Sequence, residues 1–560
     1  MNATRTAAEA LVDQLVLHGV QHVFCVPGES YLAALDAMYD RQIEVTVCRQ
    51  EGGAAIMAEA VGKTTGRPGV CFVTRGPGAA NAAHGVHIAR QGSSPMIMFV
   101  GQVSREVKGR EAWQELDYAA VFGSMAKWAA EIDDAARVSE YVARAFQVAT
   151  SGRPGPAVLA LPEDMLVEAV SIADAPPFEG AEAGPDSDAF EAMLQALSAA
   201  KSPFLLLGGS RWDEDARAAV TAFAERWRLP VATGFRRLPL FDPLHPSYAG
   251  DLGLGANPKL VARVKAADLV IALGDRLSEV TTQSYGLWDI PAPQTKLIHI
   301  YPDAAEIGRV WQPHIGLTAS PRAIAPLLAD APSPSAFAWA GSADAAHAEY
   351  LAWSEAPTPQ PGPVNIAEIV IWLRDNLPDD AILTNGAGNF AAWINRFYRV
   401  RRLGGHLGPN SGSMGYGVPA AIAMQRLHPG RRVVAVSGDG DFLMNGQEFA
   451  TAVQYGLPVI VLVFDNSLYG TIRMHQEREY PGRVIATDLK NPDFAAYARA
   501  FGGFGATVER TADFAPAFEA AVASGQPAII HVKFDPDGIS PTATLSGIRA
   551  QALAAKRPAP

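Results

Sequence analysis

Gly438-Asp439-Gly440-Asp441 follows the apolar run Val433 to Ser437, and 27 residues after Asp439 a second apolar run gives way to Asp465-Asn466-Ser467-Leu468-Tyr469-Gly470. Asp439 offers a carboxylate oxygen and Asn466 an amide oxygen, hard donors suited to Mg²⁺ or Ca²⁺. Two such donors leave an octahedron incomplete, so phosphate oxygens and water must supply the rest. The glycines let backbone N–H groups approach phosphates, and a helix following Asp441 directs its N-terminal dipole at them. A lone Gly-Asp-Gly is also an ordinary turn after a strand. Two such loops at adjacent strand ends can meet around one ion, and Mg²⁺ bridging a diphosphate is the chemistry they suggest together.

Other segments carry chemistry only in company. Arg49-Gln50-Glu51-Gly52-Gly53 follows a strand and opens a helix, where the macrodipole alone would favour a carboxylate. Ser411-Gly412-Ser413-Met414-Gly415-Tyr416-Gly417 surrounds a methionine with small residues, as simple helix packing also would. Gly386-Ala387-Gly388-Asn389-Phe390 is a turn whose N–H groups and Asn389 amide could hold a diphosphate. His84, His87 and His475 lie near these segments, and only His475 reads as a rim residue.

The paired loops resemble the thiamine-diphosphate binding motif, and the whole chain resembles the thiamine-diphosphate enzymes built like acetolactate synthase. Val26-Pro27-Gly28-Glu29-Ser30, Thr74-Arg75-Gly76-Pro77-Gly78-Ala79-Ala80-Asn81 and Gly101-Gln102-Val103 agree with that family as well. The resemblance implies a metal held by Asp439, Asn466 and the Leu468 carbonyl. The motif usually ends in two asparagines, and here the first is Asp465. It implies cofactor contacts from Gly388, Asn389, Phe390, Gly412, Ser413, Met414, Gly438, Gly440, Asp441, Asn466, Tyr469, Gly470 and Thr471. Met414 becomes the wedge that folds the cofactor, the Gly412 carbonyl accepts from its 4′-amino group, and Glu51 hydrogen-bonds N1′ of the aminopyrimidine. A partly desolvated and partly protonated Glu51 is expected, with the cofactor carrying the carbanion chemistry.

The family hosts several reactions, so fold does not fix chemistry. Ala112-Trp113-Gln114-Glu115 resembles the synthases' active-site glutamine segment, with Lys127 at a matching later lysine. Glu29 replaces a glycine of the synthases and reads equally as a proton donor or as a helix N-terminal carboxylate. The leading expectation is a carboligase that decarboxylates a 2-oxo acid and adds the product to a carbonyl acceptor, with Glu51, Glu29 and Gln114 catalytic. The alternative is a non-oxidative 2-oxo-acid decarboxylase of the benzoylformate type. A catalytically silent cofactor-binding chain is a third class, disfavoured by the retained Glu51, Asp439 and Asn466. The family's central domain can bind FAD. Gly208-Gly209-Ser210 and Gly274-Asp275-Arg276 are strand-end turns there, but no GxGxxG occurs and FAD is not favoured.

The elements that must position these residues follow from composition and pattern. At 560 residues the chain is long enough for three or four domains. Apolar residues make up 49% and charged ones 19%, which excludes disorder as the main state, and a net charge of −12 makes nucleic acid and anionic membrane poor partners. The longest apolar stretch, Leu457 to Phe464, has eight residues, far short of the roughly 20 that span a bilayer. The start lacks a secretory pattern, and Thr6-Ala-Ala-Glu9 reads as a capping box. Cys25, Cys48 and Cys71 are unpaired in apolar contexts, which points to a cytoplasmic protein.

Short β-branched runs alternate with Gly-rich turns and Ala-rich helices, the pattern of α/β units with doubly wound parallel sheets. Four strands are expected in each of three domains: pyrimidine-binding over 1–172, central over 187–332 and diphosphate-binding over 362–536, with a loop-like tail over 537–560. The Pro/Gly-rich 173–185 reads as a linker, and the Pro/Ser/Ala-rich 331–363 as the second boundary. Ligands in such sheets bind at the carboxyl ends of strands. The family's pyrimidine-binding and diphosphate-binding domains face each other across a subunit interface, so a homodimer or homotetramer is implied.

Overall fold

The computed structural model describes residues 4–177, 182 and 184–555. It contains three six-stranded sheets, each wholly parallel, with helices between most successive strands. The first is built from β1 (His22–Cys25), β2 (Glu44–Val47), β3 (Gly69–Val73), β4 (Met96–Gln102), β5 (Trp128–Glu131) and β6 (Pro156–Pro162), in the order β2-β1-β3-β4-β6-β5. The second has β7 (Pro203–Leu207), β8 (Val231–Gly234), β9 (Tyr248–Leu252), β10 (Leu269–Leu273), β11 (Lys296–Tyr301) and β12 (Ile315–Thr318), ordered β9-β8-β7-β10-β11-β12. The third has β13 (Ile382–Asn385), β14 (His406–Leu407), β15 (Val433–Gly438), β16 (Ile460–Asp465), β17 (Phe504–Val508) and β18 (Ala528–Lys533), ordered β14-β13-β15-β16-β18-β17.

The central strands read as continuous apolar runs because helices cover both faces. β4, β6, β7, β15 and β16 are buried at every position. The winding reverses between β1 and β3 in the first sheet, between β7 and β10 in the second and between β13 and β15 in the third. A crevice opens past the carboxyl ends at such a reversal.

The chain forms two compact units. One comprises residues 4–177 with Pro409–Pro429 and Leu443–Leu457, so the Met414 segment belongs with the first sheet; the other comprises the second and third sheets with the C-terminal segment. The capping box is present: Thr6 Oγ1 accepts from Glu9 N, and Thr6 N donates to the Glu9 carboxylate at 2.7 Å. Of the linker at 173–185, residues 178–181 and 183 lie outside the described residues.

Three expectations are corrected. Each sheet has six strands rather than four. The 331–363 boundary contains the helix Ser342–Ser354, which buries Ala343, Ala346 and Tyr350 and sets Tyr350 edge-on against Tyr248. The tail is not loop-like: Leu545–Ala555 is a helix, and its Leu545 and Ile548 share a small core with Leu468 and Ile539. Both helices are alanine-rich with apolar residues three or four apart, so strong propensity outweighed the surrounding turn formers.

Candidate functional site

In the first unit, Glu51 opens the helix Glu51–Thr65, whose N-cap Gln50 accepts from Gly53 N through its side chain. Glu51 is half-buried, and its Oε2 accepts from Asn81 Nδ2 at 2.9 Å. The helix start is held from outside by Glu448, wholly buried, whose Oε1 accepts from the N–H groups of Arg49 and Gln50, each at 2.9 Å. Burial pushes the Glu448 carboxyl up even against those bonds. A Cβ on Gly53 would stand 2.5 Å from Glu448 Oε1. Gly53 therefore provides clearance for the Glu448 carboxylate, and Gly52 for the Gln50 side chain that caps the helix.

Eight residues along the same helix, Glu59 is fully buried and bonded to Ser94 Oγ, to Tyr416 Oη at 2.8 Å and to Lys63 at 3.0 Å. This network fixes Tyr416, next to the Met414 turn. Gly412 has φ +68 and open space around its Cβ position, and Met414 is half-exposed. The segment is a loop, with its helix starting only at Gly417. Asn445 Nδ2 donates to the Gly415 carbonyl at 3.0 Å, and Ser411 Oγ to Ser413 Oγ at 3.1 Å.

At the β1/β3 reversal, Arg75 is buried and donates to Glu29 at 2.9 Å and to Glu163 at 2.5 Å. Glu29, in a 3₁₀ turn rather than at the start of a long helix, is thus engaged by a guanidinium. Gln114 has φ +65, unusual for a non-glycine residue, and is held there by Gly76 N donating to its carbonyl at 2.9 Å. Its Oε1 is buried with no hydrogen-bond partner among the described residues. Lys127 donates to the Val148 and Ser151 carbonyls, closing the end of the helix Val138–Thr150. Its resemblance to the family lysine therefore coincides here with a structural contact.

In the second unit, the β13/β15 reversal gathers the diphosphate-side residues. The Asp441 carboxylate accepts from Ala387 N at 3.0 Å and fills the space a Gly386 Cβ would need, so it shapes the 386–388 turn. Phe390 packs against Gly388 and Gly438, and the Tyr469 ring lies where a Gly440 Cβ would be, at 2.6 Å. Asn389 Oδ1 accepts from Thr471 Oγ1 at 2.9 Å, joining the turn after β13 to the helix Gly470–Glu479. Asn466 is half-buried, its amide nitrogen lying beside Gly470, and Leu468 is buried. The helix at the Gly-Asp-Gly motif is Asp439–Asn445. It starts three residues earlier than read from the sequence, so Asp439 itself is its first residue. His475 is exposed.

Asp439 is buried, and its Oδ2 accepts from Asn491 Nδ2 at 2.7 Å. Burial first, and then the neighbouring Asp465 carboxylate, push the Asp439 carboxyl up, whereas hydrogen bonds from His531 and Asn491 hold Asp465 down despite its own burial. Asp439, the Asn466 amide and the Leu468 carbonyl, the three ligands expected from the family motif, are all oxygen donors of the kind Mg²⁺ takes. Among the described residues no group of three or more His, Cys, Asp or Glu is placed to hold a metal ion.

At the β7/β10 reversal the glycines stand against neighbouring groups of the same sheet. The Asp275 side chain occupies the space a Cβ on Gly208 or Gly234 would take, and Gly209 backs onto the Gly274 carbonyl. Those glycines are explained by packing. Sequence reasoning missed Glu448, Asn491 and Arg75 as participants. Arg75 stood in a segment already singled out, while Glu448 and Asn491 carried no local signal.

Comparison with known proteins agrees with this layout. Residues 5–121 match the N-terminal TPP binding domain of thiamine pyrophosphate enzymes, 190–328 their central domain and 386–532 their C-terminal TPP binding domain. The chain is 33% identical over 517 residues to the acetolactate synthase large subunit of Parasynechococcus marenigrum (strain WH8102), covering 89% of this chain and 82% of that one. It is 31% identical over 535 residues to the acetolactate synthase of Bacillus subtilis (strain 168), covering 94% and 93%. The acetolactate synthase isozyme 2 large subunit of Escherichia coli (strain K12) is also 31% identical over 535 residues, covering 94% and 95%. With its three parallel sheets and its motif turns at the first and third reversals, the chain belongs to the thiamine pyrophosphate enzyme family.

Proposed function

We infer that this chain is a thiamine-diphosphate- and Mg²⁺-dependent carboligase acting on 2-oxo acids. In this reading it decarboxylates one substrate and joins the remaining carbon unit to a second carbonyl compound. The observation that supports this reaction type is the 31–33% identity to three acetolactate synthases over 89–94% of the chain. When bound, thiamine diphosphate supplies the nucleophilic carbon and the electron sink. Asp439, Asn466 and the Leu468 carbonyl hold Mg²⁺, while Gly388, Asn389 and the Gly438–Asp441 turn receive the diphosphate. Glu51 exchanges a proton with N1′, oriented by Asn81 and anchored by Glu448. Gly412 and Met414 position the aminopyrimidine.

Gln114 decides what happens after decarboxylation. Its strained backbone and unpartnered Oε1 mark a side chain set for a substrate, and its amide can hydrogen-bond an acceptor carbonyl without delivering a proton to carbon. Glu29 is engaged by Arg75, which supports a positioning role over proton delivery. The enzyme acts as a homodimer or homotetramer, as the family resemblance implies, and its three buried, unpaired cysteines suit the cytoplasm.

The test is incubation of the purified protein with Mg²⁺, thiamine diphosphate and a panel of 2-oxo acids, with aldehyde and acyloin measured separately. Acyloin is expected to predominate. Aldehyde alone at saturating acceptor would reassign the chain as a decarboxylase, and no turnover of any 2-oxo acid would reject both readings.

A further inference from the structure

At the position where the family motif usually carries its first asparagine, this chain has Asp465, and the structure shows how a carboxylate is accommodated there. Asp465 ends β16 and is buried, and its Oδ2 accepts from Nε2 of His531 at 2.8 Å. His531 lies on the adjacent strand β18 and is itself buried. Asp465 Oδ1 accepts from Ser467 N at 2.8 Å and from Asn491 Nδ2 at 2.8 Å. The same Asn491 nitrogen donates to Asp439 Oδ2 at 2.7 Å. One amide group therefore links the carboxylate assigned to the cation with the carboxylate that has replaced a neutral side chain.

Asn491 is held in place by main-chain pairing. Tyr469 N donates to the Thr487 carbonyl at 2.9 Å, Leu489 N donates to the Ser467 carbonyl at 2.8 Å, and Leu468 forms a bridge with Asp488. The segment carrying Asn491 is thus tied to the loop carrying Asn466 and Leu468. An NH₂ group has two hydrogens, and here each has a carboxylate acceptor.

We propose that Asp465 and Asn491 are positioning residues for the cation site, with Asp465 adding a negative charge beside Asp439 and Asn491 fixing how the Asp439 carboxylate is turned. Two carboxylates bridged by one amide repel each other in a buried setting until a divalent cation arrives. The arrangement gains cation affinity at the cost of stability in the cation-free protein, and His531 limits that cost. This rests on the reading of Asp439 as a cation ligand.

The probe is Mn²⁺, with free ion read by electron paramagnetic resonance in the presence of thiamine diphosphate. Thermal unfolding of the same proteins in a chelator gives the second readout. Asp465→Asn is expected to weaken Mn²⁺ binding by about 10-fold, the scale of residues that orient ligands, and to raise the unfolding temperature without the ion. Asn491→Ala should weaken binding and also lower the unfolding temperature in chelator, since the carboxylates lose the amide between them. If Asp465→Asn binds Mn²⁺ as tightly as the parent, or lowers the unfolding temperature equally with and without the ion, the proposal is overturned and Asp465 is merely structural. Asp439→Ala separates the two readings. Unchanged Mn²⁺ binding in that variant would remove the cation site itself, and this proposal with it.

Discussion

Glu51 stands at the first position of its helix with one oxygen on Asn81 and the helix start anchored by Glu448, so its carboxylate is fixed in direction. If it exchanges a proton with N1′ of the cofactor, replacing it by an isosteric amide removes the exchange and keeps the shape. Glu51→Gln should therefore retain cofactor binding while hydrogen–deuterium exchange at the cofactor C2, followed by acid quench and NMR, slows by about 10² or more. Exchange at the parent rate would take Glu51 out of the mechanism. Residues of this kind are singled out by the sequence because their motifs are local: the spacing from Asp439 to Asn466 and the strand before Glu51 are visible in one dimension. Glu448 acts on Arg49 and Gln50 some 400 residues away, and Asn491 acts on Asp439 and Asp465 from a loop with no motif. Such contacts are set by the tertiary path of the chain and leave no spacing to read.

Glycines in the Glu51 helix show how an element is shaped by what it must admit. Gly53 carries helical backbone that any residue adopts, but a methyl group there would meet Glu448 Oε1 at 2.5 Å and its side-chain carbons at 2.8 and 2.9 Å. Gly53→Ala must displace a buried carboxylate that caps the helix, and overpacking of this sort costs about 1–3 kcal/mol. Gly430→Ala meets nothing within 4 Å and is the control, expected within about 0.5 kcal/mol of the parent. Denaturant unfolding of both variants checks the difference, and equal stabilities would show that Glu448 does not need the space. The sequence revealed the strands that are uniformly apolar, such as Leu269–Leu273 and Val433–Gly438. It concealed Pro156–Pro162, an apolar strand bounded by prolines, and several strands at sheet edges: Tyr248–Leu252 and Phe504–Val508 carry glycine, and His406–Leu407 is two residues long. An edge strand is paired on one side only, so it tolerates residues that a central strand excludes.

At the scale of the whole molecule, chemistry divides between the two compact units. Glu51, Gln114, Gly412 and Met414 belong to one, and Asp439, Asn466, Leu468 and Asn389 to the other. The family resemblance implies that catalytic sites are completed by two copies of the chain, one giving the aminopyrimidine side and its partner the diphosphate side. That arrangement has an arithmetic consequence. A dimer of Glu51→Gln chains lacks the proton-exchanging carboxylate in both sites, and a dimer of Asp439→Ala chains lacks a cation ligand in both. In a hybrid of the two, one site receives both defects and the other receives none. Mixing the two inactive variants, with subunit exchange verified by mass-tagged chains, should restore activity to hybrids with about one competent site in two, as expected for symmetric shared interfaces. Sites completed within single chains would give no recovery, because every site would keep one defect whatever its neighbour carried. Recovery that grows with the hybrid fraction, and is absent when both chains carry the same substitution, would establish sharing.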